Sequence, residues 1–152
     1  MSGLDRFREA VAPLGLDRVI REFPESTHTA AEAAAAVGCD VAAIVKSLVF
    51  TADGEPLLAL VSGPNRVDTD ALGARLGVTI GKADAALVKS ATGYSIGGVP
   101  PLGFPAPLRT VMDESLLALP EVWAAAGTAT SVFAIAPVEL ARLTDAAVLP
   151  LA

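Results

Sequence analysis

The sequence predicts an α+β domain in which a mixed, curved, largely antiparallel β-sheet is wrapped by helices. Some segments place apolar residues at helical spacing, whereas others are short runs rich in branched side chains. The two kinds of segment are interspersed, and an Asp-Gly pair joins two strand-like runs, as in an antiparallel hairpin. A length of 152 residues is typical of one domain, so we expect a single domain with one core over residues 1–152.

The N-terminal third contains two predicted helices and one exposed strand. Residues 4–14 carry apolar side chains on one helical face, and Gly15 follows as a stop signal. Polar and apolar residues alternate over 18–23, which predicts a strand that Pro24 ends. Thr29 and Glu32 form a capping-box pattern at the start of an alanine-rich helix that Gly38 ends.

The rest of the chain predicts a central hairpin, three further helical segments and three more strands. The runs 44–50 and 56–62 are almost continuously apolar, as in strands covered on both faces. Asp68 is a cap for a helix that reaches Leu76, and residues 83–89 are also helical in pattern. Strands follow at 109–113, 122–126 and 131–136, and a last helix covers 137–143 with Pro137 in its first turn. We expect six or seven strands in total.

A long irregular loop separates the two halves of this pattern. Residues 92–107 contain four glycines and four prolines, which prevent regular secondary structure. Loops of this length in compact domains are usually functional or disordered. Apolar residues within the loop favour an ordered one; they are Tyr94, Ile96, Val99, Leu102 and Phe104.

Charge and hydropathy exclude two classes of partner. The net charge is −6, from 11 basic and 17 acidic residues, and no basic stripe exists. Proteins that grip long nucleic acids depend on clustered Lys and Arg, so we expect no DNA partner and only local contact with any RNA. No apolar run approaches the roughly 20 residues that cross a bilayer, and the N-terminus has no secretory signal pattern. We therefore expect a cytoplasmic protein without a membrane partner.

Two features stand out as candidates for chemistry. Lys46 interrupts an apolar strand, where it is either an edge lysine reaching water or a cleft lysine that donates to a phosphate or carbonyl oxygen. Gly97 and Gly98 are adjacent in the loop, where they form either a simple turn or a pair of N–H groups that hold an oxyanion. Sequence alone leaves both alternatives open.

Other reactive residue types give no recognisable site. His28 is the one histidine and Cys39 the one cysteine, so an internal disulfide is impossible and a metal site is not expected. The carboxylates of Asp68, Asp70, Asp84 and Asp113 are explained by helix capping or by solvation at strand ends. No nucleotide-binding motif or catalytic triad is present, and we predict no cofactor.

Three stretches together resemble the YbaK/EbsC and prolyl-tRNA-synthetase-associated editing domains. They are TAAEAAAAVGCDVAAIVKSLVF at 29–50, ATGYSIGGVPPLG at 91–103, and AAGTATSVFAIAPVELARL, which ends at Leu143. The middle stretch is the most specific, because it sets Thr-Gly-Tyr and Gly-Gly before a proline-bearing turn. The resemblance implies a mixed sheet wrapped by helices, with a pocket for the aminoacylated 3′ end of tRNA.

The resemblance also implies roles for individual residues. Lys46 matches the family's strand lysine, expected to contact the terminal adenosine or its phosphate, and Gly97-Gly98 matches the loop that holds the ester carbonyl. We predict that these three residues are catalytic and that five others bind substrate, namely Thr29, Ser47, Ser62, Tyr94 and Ser131. An aminoacyl ester is activated by the neighbouring ribose hydroxyl, so a positioned water and an oxyanion hole suffice for its hydrolysis.

The identity of the substrate is the least determined part of this interpretation. Relatives that clear alanine from tRNA carry Asn after the lysine and a histidine in the tail, whereas this chain has Ser47 and no tail histidine. Several small amino acids therefore remain candidates, with tRNA for proline as the favoured carrier and a synthetase as a candidate second partner. Two alternatives stay open: a non-catalytic aminoacyl- or nucleotide-binding module of the same fold, and a hydrolase for another small ester.

Overall fold

A computed structural model describes residues 2–27 and 29–152, so His28 and any role for it lie outside the described residues. Within that part of the chain, five α-helices surround one eight-stranded sheet. The helices are α1 (Gly3–Val11), α2 (Ala30–Val37), α3 (Thr69–Leu76), α4 (Ala85–Thr92) and α5 (Pro137–Thr144). The strands are β1 (Ile20–Glu22), β2 (Ile44–Ala52), β3 (Glu55–Ser62), β4 (Ile80–Lys82), β5 (Arg109–Asp113), β6 (Val122–Ala125), β7 (Ser131–Ile135) and β8 (Ala147–Leu149).

The mixed, largely antiparallel sheet wrapped by helices is confirmed, with the strand order β1-β7-β6-β2-β3-β5-β8. Four of the strand pairs are antiparallel, including the β2–β3 hairpin across the predicted Asp-Gly turn. The pairs β2–β6, β3–β5 and β5–β8 are parallel. The expected strand number was too low, because β4 and β8 are three-residue strands without a sequence pattern that form only by pairing with β2 and β5.

Apolar packing covers both faces of the sheet. Side chains of α1, α4 and α5 pack on one face, here called the α1 face, around residues such as Phe7, Val45 and Leu140. Helices α2 and α3 pack on the other, here called the α2 face, against two smaller clusters that include Ile44 and Leu72. The predicted caps Thr29, Asp68 and Asp84 each accept a backbone N–H at the start of their helix. No helix in the described residues is long and apolar enough to cross a bilayer.

The central strand β2 is incompletely paired along one of its sides. On that side, β6 pairs with its first residues, 44–45, and β4 pairs with its last residues, 50–52. Residues 46–49 face no strand there, which leaves a gap in the sheet. Because hydrogen-bonded and non-hydrogen-bonded positions alternate in the β2–β3 hairpin, the peptide groups of Ser47 and Val49 point toward the gap.

Candidate functional site

A cleft of about 600 Å³ opens at the gap in the sheet. Its walls come from both sheet faces: α2 and the residues before it on one side, and the start of the long loop on the other. Most of the lining is aliphatic, with Ile44, Val49 and Val88 among its members. This size lies within the range of about 300–1,000 Å³ that small-molecule sites occupy, and an apolar lining with few polar groups is typical of them.

Four of the eight predicted site residues line this cleft; they are Thr29, Lys46, Ser47 and Gly97. The Thr29 hydroxyl accepts the Glu32 N–H as a helix cap, so this residue is structural as well as cleft-lining. The hydroxyl oxygen of Ser47 is buried and has no hydrogen-bond partner among the described residues. An unpaired buried hydroxyl costs on the order of 1–3 kcal/mol, and rotation of its side chain toward a bound ligand would recover that energy.

The Lys46 ammonium is held near the cleft wall by a backbone acceptor. Its Nζ donates to the carbonyl oxygen of Asn65 at 2.5 Å, and the side chain is half-buried. Burial lowers the pKa of Lys46 below the ordinary value of 10.5; the positive charge of Arg66 acts in the same direction, and the Asp113 carboxylate opposes them. A cation that is partly stripped of water interacts strongly with a ligand oxygen.

A network behind Lys46 was not predicted from the sequence. The carboxylate of Asp113, which is 1% exposed, accepts the Asn65 side-chain N–H at 2.8 Å and the Ser62 backbone N–H at 3.2 Å. It also accepts the Ser115 N–H at 3.0 Å, as expected of a helix cap. The contacts with Asn65 and Ser62 were not expected from the sequence. The same carboxylate therefore fixes Asn65, which in turn fixes the lysine. In the sequence, the only indication of this network is one acidic residue, Asp113, at the end of an apolar strand.

The two loop glycines have different surroundings. Gly97 lines the cleft and has φ +93°, a conformation that side chains disfavour. Gly98 is buried, and its N–H donates to the Ser95 carbonyl at 3.1 Å. A Cβ on Gly98 would lie 2.8 Å from Thr128 Cα, so close packing of two backbone segments accounts for the glycine there. Only Gly97 of the pair therefore borders the cleft.

The remaining predicted residues lie outside the cleft lining. Ser62 and Ser131 are buried on the α1 face, where the Ser62 hydroxyl donates to the Ala42 carbonyl at 2.7 Å and that of Ser131 pairs with Thr128. The Tyr94 hydroxyl donates to the Gly103 carbonyl at 3.2 Å and ties the long loop to itself. Three apolar loop residues, Tyr94, Val99 and Leu102, are buried, whereas Ile96 is 59% exposed at the cleft rim. Cys39 is half-buried against α2 and makes no disulfide.

Comparisons with known proteins converge on one family. The family described as "Aminoacyl-tRNA editing domain" matches residues 24–143. "Uncharacterized protein YwhH" of Bacillus subtilis is 29% identical over 126 residues, which cover 82% of this chain and 80% of that protein. A proline–tRNA ligase of Nitratidesulfovibrio vulgaris is 34% identical over 90 residues, 59% of this chain but only 16% of the ligase.

Structural similarity points the same way. A crystal structure described as a "putative trans-editing enzyme for prolyl tRNA synthetase" superposes with a TM-score of 0.92 at 43% sequence identity. The superposition covers 99% of this chain and 97% of that one. The similarity therefore extends over the sheet and the helices that surround it.

Proposed function

The chain belongs to the aminoacyl-tRNA editing domain family, and we propose that residues 1–152 act as one trans-editing domain that hydrolyses mischarged aminoacyl-tRNA. The bond cleaved is the ester between a small amino acid and the terminal ribose. The observation that carries the proposal is the cleft at the gap in the sheet, which Lys46 and Gly97 both line. The proline–tRNA ligase and the structure described as a trans-editing enzyme for prolyl tRNA synthetase favour tRNA for proline as the carrier.

The proposed mechanism divides the work between the protein and the substrate. The Lys46 ammonium binds the terminal adenosine or its phosphate and sets the ester in the cleft. The Gly97 N–H polarises the ester carbonyl and stabilises the oxyanion that forms when water attacks. As the water attacks, its proton passes through the neighbouring ribose hydroxyl to the ester oxygen of the ribose, the ester C–O bond breaks, and the amino acid leaves with a free carboxyl group while the tRNA leaves with a free ribose hydroxyl. Gly98 shapes this loop, because its own N–H is bonded to Ser95.

The five residues predicted to bind substrate fall into two groups, those that line the cleft and those that support its walls. Thr29 and Ser47 line the cleft and are proposed to contact the aminoacyl group directly. Ser62, Tyr94 and Ser131 are proposed to support the pocket walls through their internal hydrogen bonds. Because the acidic chain offers few cations, tRNA binding is weak, and a synthetase that delivers the tRNA is the proposed second partner.

A deacylation panel tests the proposal. tRNA for proline is charged in turn with Ala, Ser, Cys, Thr, 2-aminobutyrate and Pro, and release of the amino acid is followed with and without the protein. We expect release of at least one small non-cognate amino acid and retention of Pro. Tight binding without release would indicate the binding module instead. Hydrolysis of a simple ester such as p-nitrophenyl acetate, with no release from any tRNA, would indicate an unrelated esterase.

The lowered pKa of Lys46 predicts an alkaline limit to the reaction. Since the charged ammonium is the form proposed to bind substrate, enzyme-dependent release should fall as pH rises through its pKa, at a midpoint below 10.5. Arg66→Gln removes a neighbouring positive charge, so the midpoint should move to higher pH. Rates are measured against pH after the spontaneous hydrolysis is subtracted.

A control separates this local effect from net charge. Lys82→Gln removes one positive charge from an exposed site on β4 and should leave the midpoint where it is. Equal shifts in the two variants, or no alkaline limit at all, would contradict the role of the Lys46 ammonium.

A further inference from the structure

An arginine and two aromatic rings form a cluster beside the cleft. The guanidinium carbon of Arg21 lies 5.2 Å from the centroid of the Phe23 ring and 5.5 Å from that of the Trp123 ring. Arg21 is exposed, whereas both rings are half-buried. Trp123 also lines the cleft, so the cluster and the proposed ester site share a wall.

Strand pairing places this cluster on the same sheet face as Lys46. Directly paired residues on neighbouring strands point to the same face, so the Ile44–Trp123 pair between β2 and β6 places Trp123 on the α2 face. Lys46 lies two residues after Ile44 on β2, and it therefore points to the same face. Pairing of Arg21 with Val132, and of Val132 with Ala125, extends that face to β1. Neighbouring strands are about 4.8 Å apart, and successive residues rise about 3.3 Å along a strand. The Cα atoms of Lys46 and Trp123, which are two residues and one strand apart, are therefore separated by about 8 Å. One nucleoside is long enough to bridge this distance.

The cluster also carries a positive charge, that of Arg21, which forms no carboxylate ion pair among the described residues. The carboxylate ion pairs among residues 2–27 and 29–152 are Arg8–Glu22 and Arg142–Glu139, and Arg21 takes part in neither. In a chain of net charge −6, Arg21 places a positive charge on the surface beside the cleft. Flat aromatic and guanidinium surfaces are what proteins offer to unpaired nucleobases, and the positive charge suits an adjacent phosphate.

We propose that the cluster formed by Arg21, Phe23 and Trp123 binds the unpaired 3′ end of tRNA, with the terminal adenine stacked against Trp123. Arg21 contacts a neighbouring backbone phosphate of the same 3′ end, while Lys46 keeps the contact proposed for it above. The inference rests on the proposed function, because it takes the ester to lie near Lys46. It also resolves how an acidic protein holds RNA: stacking supplies the affinity that clustered cations supply elsewhere.

Trp123 is the one tryptophan of the chain, so its fluorescence reports on this surface directly. The RNA tetranucleotide ACCA should quench the emission, whereas the same oligonucleotide with an abasic terminal ribose should bind less tightly and quench less. Affinity should depend weakly on salt, with a loss of less than about tenfold between roughly 50 and 200 mM, because at most two phosphates are neutralised.

Variants test the two parts of the cluster separately. Trp123→Leu removes the aromatic face and Arg21→Gln the cation; each should weaken binding of 5′-labelled ACCA, measured by anisotropy, by about tenfold. Both should raise KM for aminoacyl-tRNA more than they lower kcat. Arg109→Gln is the matched control, since Arg109 is an exposed arginine on β5 and its loss changes net charge equally.

The outcomes distinguish this inference from the function on which it rests. Deacylation with unchanged Trp123 emission, and with Arg21→Gln equal to Arg109→Gln, overturns the stacking surface and leaves the editing function intact. Quenching by ACCA that needs the terminal base, without release of any amino acid, supports the surface and overturns the editing function. The fluorescence measurements use the wild-type protein, so a variant that fails to fold does not affect them.

Discussion

Replacement of Lys46 by alanine should lower kcat/KM for release of the preferred amino acid by about 100-fold. Loss of one positioned donor in a site of this kind typically costs on the order of 10²–10³ in rate. Lys46 has an anchored, half-buried ammonium at the cleft wall, so no other described cation can replace it from the same position. Initial rates at substrate concentrations below KM provide the measurement.

Two further variants define what the lysine contributes. Lys82→Ala removes an exposed lysine from β4 and should retain the wild-type rate. Lys46→Arg keeps the charge in a larger, planar group and should recover only part of the activity. If the alanine variant is folded, as judged by its thermal unfolding, and turns over at the wild-type rate, Lys46 has no part in the reaction.

The second large effect concerns stability, and we expect it on replacement of Asp113 by alanine. The substitution leaves the buried Ser62 N–H without its acceptor and removes one of the two acceptors of the part-buried Asn65 side-chain amide, which keeps Ser115 Oγ at 3.3 Å. Each unsatisfied buried donor costs about 1–3 kcal/mol, so the free energy of unfolding should fall by about 3 kcal/mol. Urea denaturation measures the change, and release rates should also fall because Asn65 no longer fixes Lys46.

Asp84 provides the matched comparison for this prediction. Its carboxylate caps α4 through one backbone N–H of Leu87 at 2.8 Å, from an exposed position. Asp84→Ala should therefore cost only about 1 kcal/mol, the usual value for loss of an N-cap. Equal losses of stability in the two variants would show that Asp113 acts as a cap and nothing more.

Most of the fold was predictable because it is local. Capping residues, glycine stops and the Asp-Gly turn locate α2, α3 and the central hairpin from short windows of sequence. The first helix was predicted to reach residue 14, but it ends at Val11, and Pro13 lies in the 3₁₀ turn that follows. Strands β4 and β8 could not be predicted, since three residues carry too little pattern and only their pairing partners define them.

The candidate site was predictable where a residue contradicts its surroundings. A lysine in an apolar strand and a glycine pair in an ordered loop stand out in the sequence itself. Which face a residue points to depends on the register of neighbouring strands, so the positions of Ser62 and Ser131 on the α1 face were not accessible. The same reason hid the Trp123 cluster, whose members come from separate parts of the chain.

The unpaired stretch in the middle of β2 borders a space that is lined both by backbone polar groups and by aliphatic side chains. The peptide groups of Ser47 and Val49 belong to the backbone, so mutation of side chains cannot delete these donors and acceptors. Aliphatic residues such as Val88 and Val99 border the same space and can be exchanged for larger or smaller ones. Substitution of these side chains would therefore change the shape of the space without removing the polar contacts that the backbone offers.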